Sequence, residues 1–66
     1  MKVVITFYEH EHYSHKTYCD VKTVKYDSLG TSKWFEIVFK DGSIKRFYLI
    51  KDHVSAIKIT QPKKGD

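Results

Sequence analysis

Two runs of alternating apolar and polar residues flank Asp41–Gly42, and this pattern constrains the fold more than any other feature of the sequence. An Asp-Gly pair between two β-rich runs is a strong local signal for a tight hairpin turn. The sequence therefore predicts two antiparallel strands, over about residues 33–40 and 43–50. The 27 β-branched and aromatic residues far outnumber the strong helix formers, and there is one alanine, so we expect an all-β chain.

The hairpin can adopt two registers, which differ in the pairs they form. A two-residue turn places Glu36 opposite Phe47 and Ile37 opposite Arg46. A type I turn with a glycine bulge gives the pairs Trp34–Tyr48, Phe35–Phe47, Glu36–Arg46 and Val38–Ile44. Opposite charges and paired aromatics each stabilise a sheet by roughly 0.2–1 kcal/mol, so we predict the bulged register. Its core face consists of Phe35, Ile37, Phe39, Phe47 and Leu49.

The other strands follow from alternation and turn residues. A first strand is predicted over residues 2–8, with Val3, Ile5 and Phe7 on one face. The polar residues 9–16 are expected to form a loop or a frayed hairpin end. A second strand over 17–26 changes phase, because Cys19 and Val21 share one face while Val24 and Tyr26 share the other. This change predicts a β-bulge or sharp bend near residues 22–23.

The remaining segments are shorter. Residues 27–33 are predicted to form a loop, since they contain Asp, Ser, Gly and Thr. Residues 50–53 are expected to form a short connector with one 3₁₀ turn. The last strand is predicted over residues 55–60, with Ile57 and Ile59 facing inward. We expect a single domain over residues 1–61 and a polar tail over 62–66.

Five strands with a bent second strand predict a small antiparallel barrel or a barrel-like meander. In outline this architecture resembles SH3-like and Sm-like barrels, although no family motif is present. A flat meander stabilised by homodimerisation is the alternative, because a small sheet needs its edges closed or covered.

The length of 66 residues leaves room for one domain and excludes a large enzyme with a deep cleft. Cys19 is the single cysteine, so no intramolecular disulfide can form. The apolar run at residues 3–7 is too short for a signal-peptide core or a membrane span. A cytoplasmic location is therefore expected.

Three sets of residues are candidates for catalysis or metal binding. His10, His12 and His15 lie within six residues and form the candidate zinc site, although their spacing matches no standard zinc module. Cys19 is expected to be a small core residue rather than a nucleophile. The carboxylates are scattered apart from Glu9 and Glu11, and no glycine-rich phosphate loop is present. We expect no enzymatic activity, no cofactor and no metal.

The candidate binding surface lies on the predicted hairpin, opposite the core face. Trp34 and Tyr48 pair there beside Arg46, and Tyr26 joins them if the bulge turns it outward. The lysines assigned to the same half of the molecule include Lys25 and Lys45. The formal net charge of the chain is +4.

Three functional hypotheses follow, two of them for this surface. Trp, Tyr and Arg dominate protein–protein hot spots, so the leading hypothesis is a small module that binds another protein. Small domains of this form are typical of phage or mobile-element accessory proteins, including inhibitors. The second hypothesis is single-stranded nucleic-acid binding, with bases stacked on the aromatics and phosphates held by the cations. The alternative to both is that Trp34 is a core or dimer-seam residue. The third hypothesis is a zinc-dependent binder that uses His10, His12 and His15.

Overall fold

The computed structural model describes residues 1–61, and this part of the chain is all β. Its six strands are β1 (Lys2–Glu9), β2 (His12–Tyr18), β3 (Val21–Leu29), β4 (Ser32–Phe39), β5 (Ile44–Tyr48) and β6 (Val54–Thr60). They form two three-stranded antiparallel sheets, in the orders β2-β1-β6 and β3-β4-β5. The small all-β prediction is confirmed, but the sheets are not closed into a five-stranded barrel. The predicted tail at 62–66 lies outside the described residues.

The core lies between the two sheets. Val3 and Ile5 of β1 are fully buried against Phe35 and Ile37 of β4. Phe47 joins them, with its ring centroid 5.4 Å from that of Phe35. The predicted core face of the hairpin is thus confirmed, although Phe39 and Leu49 are half-buried at its ends. Each fully buried aliphatic or aromatic side chain contributes roughly 1.5–3 kcal/mol, so six such residues make a minimal core.

The β4–β5 hairpin has the bulged register, as predicted. Gly42 donates its N–H to the Phe39 carbonyl at 3.0 Å, and Phe39 donates to the Ser43 carbonyl at 2.9 Å. Gly42 has a φ of 92°, a conformation that residues with a Cβ rarely adopt. The Asp41 carboxylate accepts hydrogen bonds from the Ser43 N–H and hydroxyl, which fixes the turn. The local turn chemistry therefore sets the pairs Trp34–Tyr48 and Glu36–Arg46.

The predicted second strand is two strands in different sheets. The chain leaves the first sheet at Cys19 and Asp20, and Asp20 has a φ of 56°. The predicted bulge is confirmed, because the pairing of β3 with β4 shifts between Val21 and Thr23. Cys19 is exposed in the link, so its assignment to the core was wrong.

Two predicted loops are mostly strand. Residues 9–16 contain a two-residue turn at His10–Glu11 and most of β2, and residues 27–33 contain a turn at Gly30–Thr31 between β3 and β4. Nearly all of β2 is exposed, as expected for the edge of a sheet. Polar side chains occupy both faces of the strand between Tyr13 and Tyr18, so the alternation by which strands are predicted is absent there.

A hydrogen-bonded turn over residues 49–53 joins β5 to β6. Val54 donates to the Leu49 carbonyl and His53 to the Ile50 carbonyl, which is the Schellman pattern. His53 occupies the left-handed position of this motif, with a φ of 57°. The predicted connector at 50–53 is thus a turn, and it contains no 3₁₀ helix. In β6, Ile57 is half-buried against the core, whereas Ile59 is 39% exposed near the strand end.

Candidate functional site

The surface of the β3-β4-β5 sheet that faces away from the core carries three cross-strand rows of side chains. The pairing registers place the residues on β3, β4 and β5 as the rows Thr23–Val38–Ile44, Lys25–Glu36–Arg46 and Asp27–Trp34–Tyr48. The first row is mostly apolar, the second alternates in charge and the third is aromatic with one acid. We call Trp34, Glu36, Arg46 and Tyr48 the Trp34 face.

Arg46 is the centre of the Trp34 face. Its guanidinium carbon lies 5.4 Å from the centroid of the Trp34 ring, in a cation–π arrangement. Its Nε and Nη2 donate to one Glu36 oxygen at 3.2 and 3.0 Å, and its Nη1 donates to the Tyr48 hydroxyl at 3.3 Å. The hydrogen bonds to Tyr48 and to Glu36 raise the pKa of Arg46 above its ordinary value. The guanidinium is therefore held in place by three side chains.

The backbone explains why these side chains meet. Phe39 donates to Ser43, and Leu49 donates to the Lys33 carbonyl, so the hydrogen-bonded positions of this ladder carry core-facing side chains. Trp34–Tyr48 and Glu36–Arg46 occupy the alternate, non-hydrogen-bonded positions, where opposing side chains lie closer. The rings of Trp34 and Tyr48 are accordingly 5.8 Å apart, and both residues are half-buried.

The structure separates the six residues predicted for partner binding. Trp34, Tyr48 and Arg46 come together, and Lys25 lies across from Glu36 on the same surface. Tyr26 lies opposite Phe35, on the core-facing side, where its ring is 6.1 Å from that of Phe35. Lys45 lies opposite Ile37 on that side too, with its Nζ 5.8 Å from the Tyr18 ring centroid.

A shallow depression extends the Trp34 face beyond the end of β5. Its volume is about 500 Å³, and its lining residues are Thr31, Ser32, Lys33, Tyr48, Ile50 and Lys51. Ile50 is 81% exposed, and the Lys51 Nζ lies 5.7 Å from the Tyr48 ring centroid. Ile50 was not among the residues predicted for binding, because it lies where the predicted fourth strand ends and the predicted connector begins. An apolar residue at such a boundary is the one sequence feature that could have indicated an exposed hydrophobic side chain.

The three histidines of the candidate zinc site do not converge. His10 lies in the β1–β2 turn, His12 pairs with Glu9, and His15 on the other face of β2 has its Nδ1 3.0 Å from the Thr6 hydroxyl. The Glu9 Oε1 atom instead lies 3.6 Å from Nε2 of both His10 and His53. Within residues 1–61, no group of three His, Cys, Asp or Glu side chains is arranged to hold a metal ion.

Cys19 lines an open cleft of about 410 Å³ with Asp20, Phe39, Lys40, Asp41 and Ser43. The Asp41 carboxylate in this cleft already accepts two hydrogen bonds from Ser43, which lower its pKa. Histidine is absent from the cleft lining, so no imidazole is placed there as a base for the thiol.

The first sheet has an aromatic pair of its own. The rings of Tyr8 and Tyr13 are 4.6 Å apart on the surface that faces away from the core. They are 44% and 66% exposed, and no arginine lies on strands β1, β2 or β6. Of the two aromatic pairs, Trp34–Tyr48 is therefore the one that an arginine contacts.

No protein family, curated protein or solved structure matches this chain. In the part of the chain that the structure describes, no helix has the length and apolar character needed to cross a membrane.

Proposed function

We propose that this protein is a non-enzymatic binding module that docks on another protein through the Trp34 face. The observation that carries the proposal is the position of the Arg46 guanidinium, held between Trp34, Glu36 and Tyr48 on an outward surface. Trp, Tyr and Arg are the residues enriched at protein–protein hot spots. A side chain that is already ordered loses less rotamer entropy when a partner binds, which favours affinity.

Nucleic-acid binding on the same surface is less well supported. Base stacking needs a free aromatic surface and cations that are free to meet phosphates. Arg46 lies over the Trp34 ring and is paired with Glu36, while Asp27 lies next to Trp34 across the sheet. The carboxylates therefore lower the positive charge where the aromatics lie, and this favours a protein partner.

The test is affinity capture from cell extract, followed by direct binding with the purified captured protein. Arg46→Ala is the main variant, because Arg46 is exposed and its loss removes no core contact. Trp34→Ala is the second variant, and Tyr13→Ala on the other sheet is the matched control. Dispersed amide NMR spectra establish that all three variants are folded.

We expect Arg46→Ala and Trp34→Ala to weaken binding at least tenfold, and Tyr13→Ala to leave it unchanged. Binding that is lost with Tyr13→Ala and kept with both face variants would refute the proposal. A parallel NMR titration with a mixed short single-stranded nucleic acid distinguishes nucleic-acid binding from protein binding on the Trp34 face. Saturable shifts at Trp34, Arg46 and Tyr48 that weaken steeply with salt would assign the face to nucleic acid.

A further inference from the structure

The depression beyond Tyr48 has an apolar part that the fold leaves uncovered. Ile50 lines it and is 81% exposed, and Leu29, opposite Ser32 at the β3–β4 turn, is 78% exposed. These are the two most exposed large hydrophobic side chains among those in residues 1–61. Ile50 is thus an aliphatic side chain of the depression that the fold leaves uncovered, and Leu29 follows Ser28 at the end of β3 near the same turn.

The charged residues that line this depression are Lys33 and Lys51, and no carboxylate is among its lining residues. The neighbouring Asp52 carboxylate lies outside the lining, where it accepts the Tyr48 N–H at 2.7 Å. The depression therefore combines the exposed Ile50 and the Tyr48 ring with two lysines.

The backbone limits how a partner can bind at this place. Asp52 also donates its own N–H to the Tyr48 carbonyl at 3.0 Å, so both backbone groups of Tyr48 have partners. An added β-strand cannot pair with the edge of β5 beside Tyr48, because its hydrogen bonds there are already used. Strand addition beside Tyr48 is therefore blocked, and the side chains of Tyr48, Ile50 and Lys51 are the groups that this end of β5 offers to a partner.

We propose that the depression receives an apolar side chain of an acidic partner segment, with flanking carboxylates meeting Lys33 and Lys51. This inference rests on the proposed function and adds the chemistry of the partner. The apolar anchor covers Ile50 and the Tyr48 ring. The flanking carboxylates supply the negative charge that is absent from the lining around the two lysines. An apolar anchor in a pocket, surrounded by complementary charge, is the usual arrangement of a hot spot.

The probes are three capped peptides titrated into the ¹⁵N-labelled protein. Their sequences are Glu-Glu-Leu-Glu-Glu, the same peptide with Ala at the centre, and Lys-Lys-Leu-Lys-Lys. We expect the first to cause saturable shifts at Tyr48, Ile50 and Lys51. The alanine peptide should bind about tenfold more weakly, because it buries fewer methylene groups. The lysine peptide should not bind.

Variants of the depression have matched controls in the same chain. Ile50→Ser should weaken the leucine peptide about fivefold or more, and Ile44→Ser, which alters an exposed isoleucine at the far end of β5, should not. Lys51→Gln should lower the affinity for the leucine peptide and make that affinity less dependent on salt concentration. Lys58→Gln on β6 should change neither.

Equal binding of the leucine and alanine peptides, or no saturable shift at these amides up to about 5 mM, would overturn the inference. Capture experiments with the same variants distinguish a failure of this inference from a failure of the proposed function. Capture that is sensitive to Arg46→Ala but insensitive to Ile50→Ser and Lys51→Gln would overturn the inference alone. Capture that is insensitive to all of them would overturn the proposed function as well.

Discussion

The Tyr18 hydroxyl is shielded from solvent and has no hydrogen-bond partner. The ring itself packs well, with centroids 6.0 Å from Phe39 and 5.9 Å from Phe47. Tyr18→Phe keeps these contacts and removes the unpaired polar atom, so we expect it to raise the free energy of unfolding by about 1 kcal/mol. Urea unfolding followed by circular dichroism measures this change. A loss of stability would show that the hydroxyl does find a partner in solution.

The same residue gives an alkaline pH dependence. Burial raises the pKa of Tyr18 above 10.0, so the neutral form is favoured in the folded state. As the pH rises above 10.0, the unfolded chain loses this proton first, and the stability from the neutral phenol declines up to the folded-state pKa. Tyr18→Phe should lose less stability over this range than the unaltered protein.

Asp41 gives the opposite dependence at acid pH. The hydrogen bonds from the Ser43 hydroxyl and N–H hold the pKa of Asp41 below the ordinary value of 3.8. The ionised carboxylate therefore contributes stability above pH 3.8, and this contribution is lost as the pH falls through the folded-state pKa. We expect Asp41→Asn to be less stable than the unaltered protein near neutral pH and equally stable in strong acid. A difference in melting temperature that stays constant with pH would contradict this role.

At the scale of elements, the β1–β2 turn is strained. His10 and Glu11 have φ values of 52° and 64°, the left-handed pair of a type I′ turn, in which Asn-Gly is preferred. The double variant His10→Asn/Glu11→Gly should raise the free energy of unfolding by about 1 kcal/mol. Thr31→Gly is the control, because Thr31 holds the second position of the β3–β4 turn without a positive φ. Equal gains from both variants would show that turn strain is not the cause.

Elements with strong local chemistry could be predicted from the sequence, and those that depend on distant contacts could not. The Asp41–Gly42 turn fixed the register of β4 and β5, and with it the meeting of Trp34, Arg46 and Tyr48. The pairing of β6 with β1 joins opposite ends of the chain, and no local pattern specifies it. The side on which Tyr26 lies depends on a single bulge residue, because one extra residue reverses every later side chain in a strand.

At the scale of the whole molecule, stability depends on very few side chains. A chain of 66 residues is expected to have about 3–10 kcal/mol of stability, and Phe35→Ala in a core costs about 3–5 kcal/mol. Phe35 is fully buried and its ring lies beside those of Phe47 and Tyr26, so we expect this variant to lose about 3–5 kcal/mol, a third or more of the stability, in urea unfolding followed by circular dichroism. Leu29→Ala is the control and should change stability by less than about 0.5 kcal/mol. A Phe35→Ala protein that loses no more stability than Leu29→Ala would show that the two sheets do not depend on this core.

Each sheet has a side that covers the core and a side that faces outward. The Trp34 face and the depression beyond it lie on the β3-β4-β5 sheet, and the Tyr8–Tyr13 pair lies on the other. Under the proposed function, we expect a partner to contact the outward side of the β3-β4-β5 sheet and not the Tyr8–Tyr13 pair.

The most direct test of this account is an amide NMR footprint of the purified captured partner on the ¹⁵N-labelled protein. We expect perturbed amides along β4 and β5, around Trp34, Arg46 and Tyr48, with β1 and β2 unaffected. A footprint centred on Tyr8 and Tyr13, with the β4 and β5 amides unchanged, would contradict it.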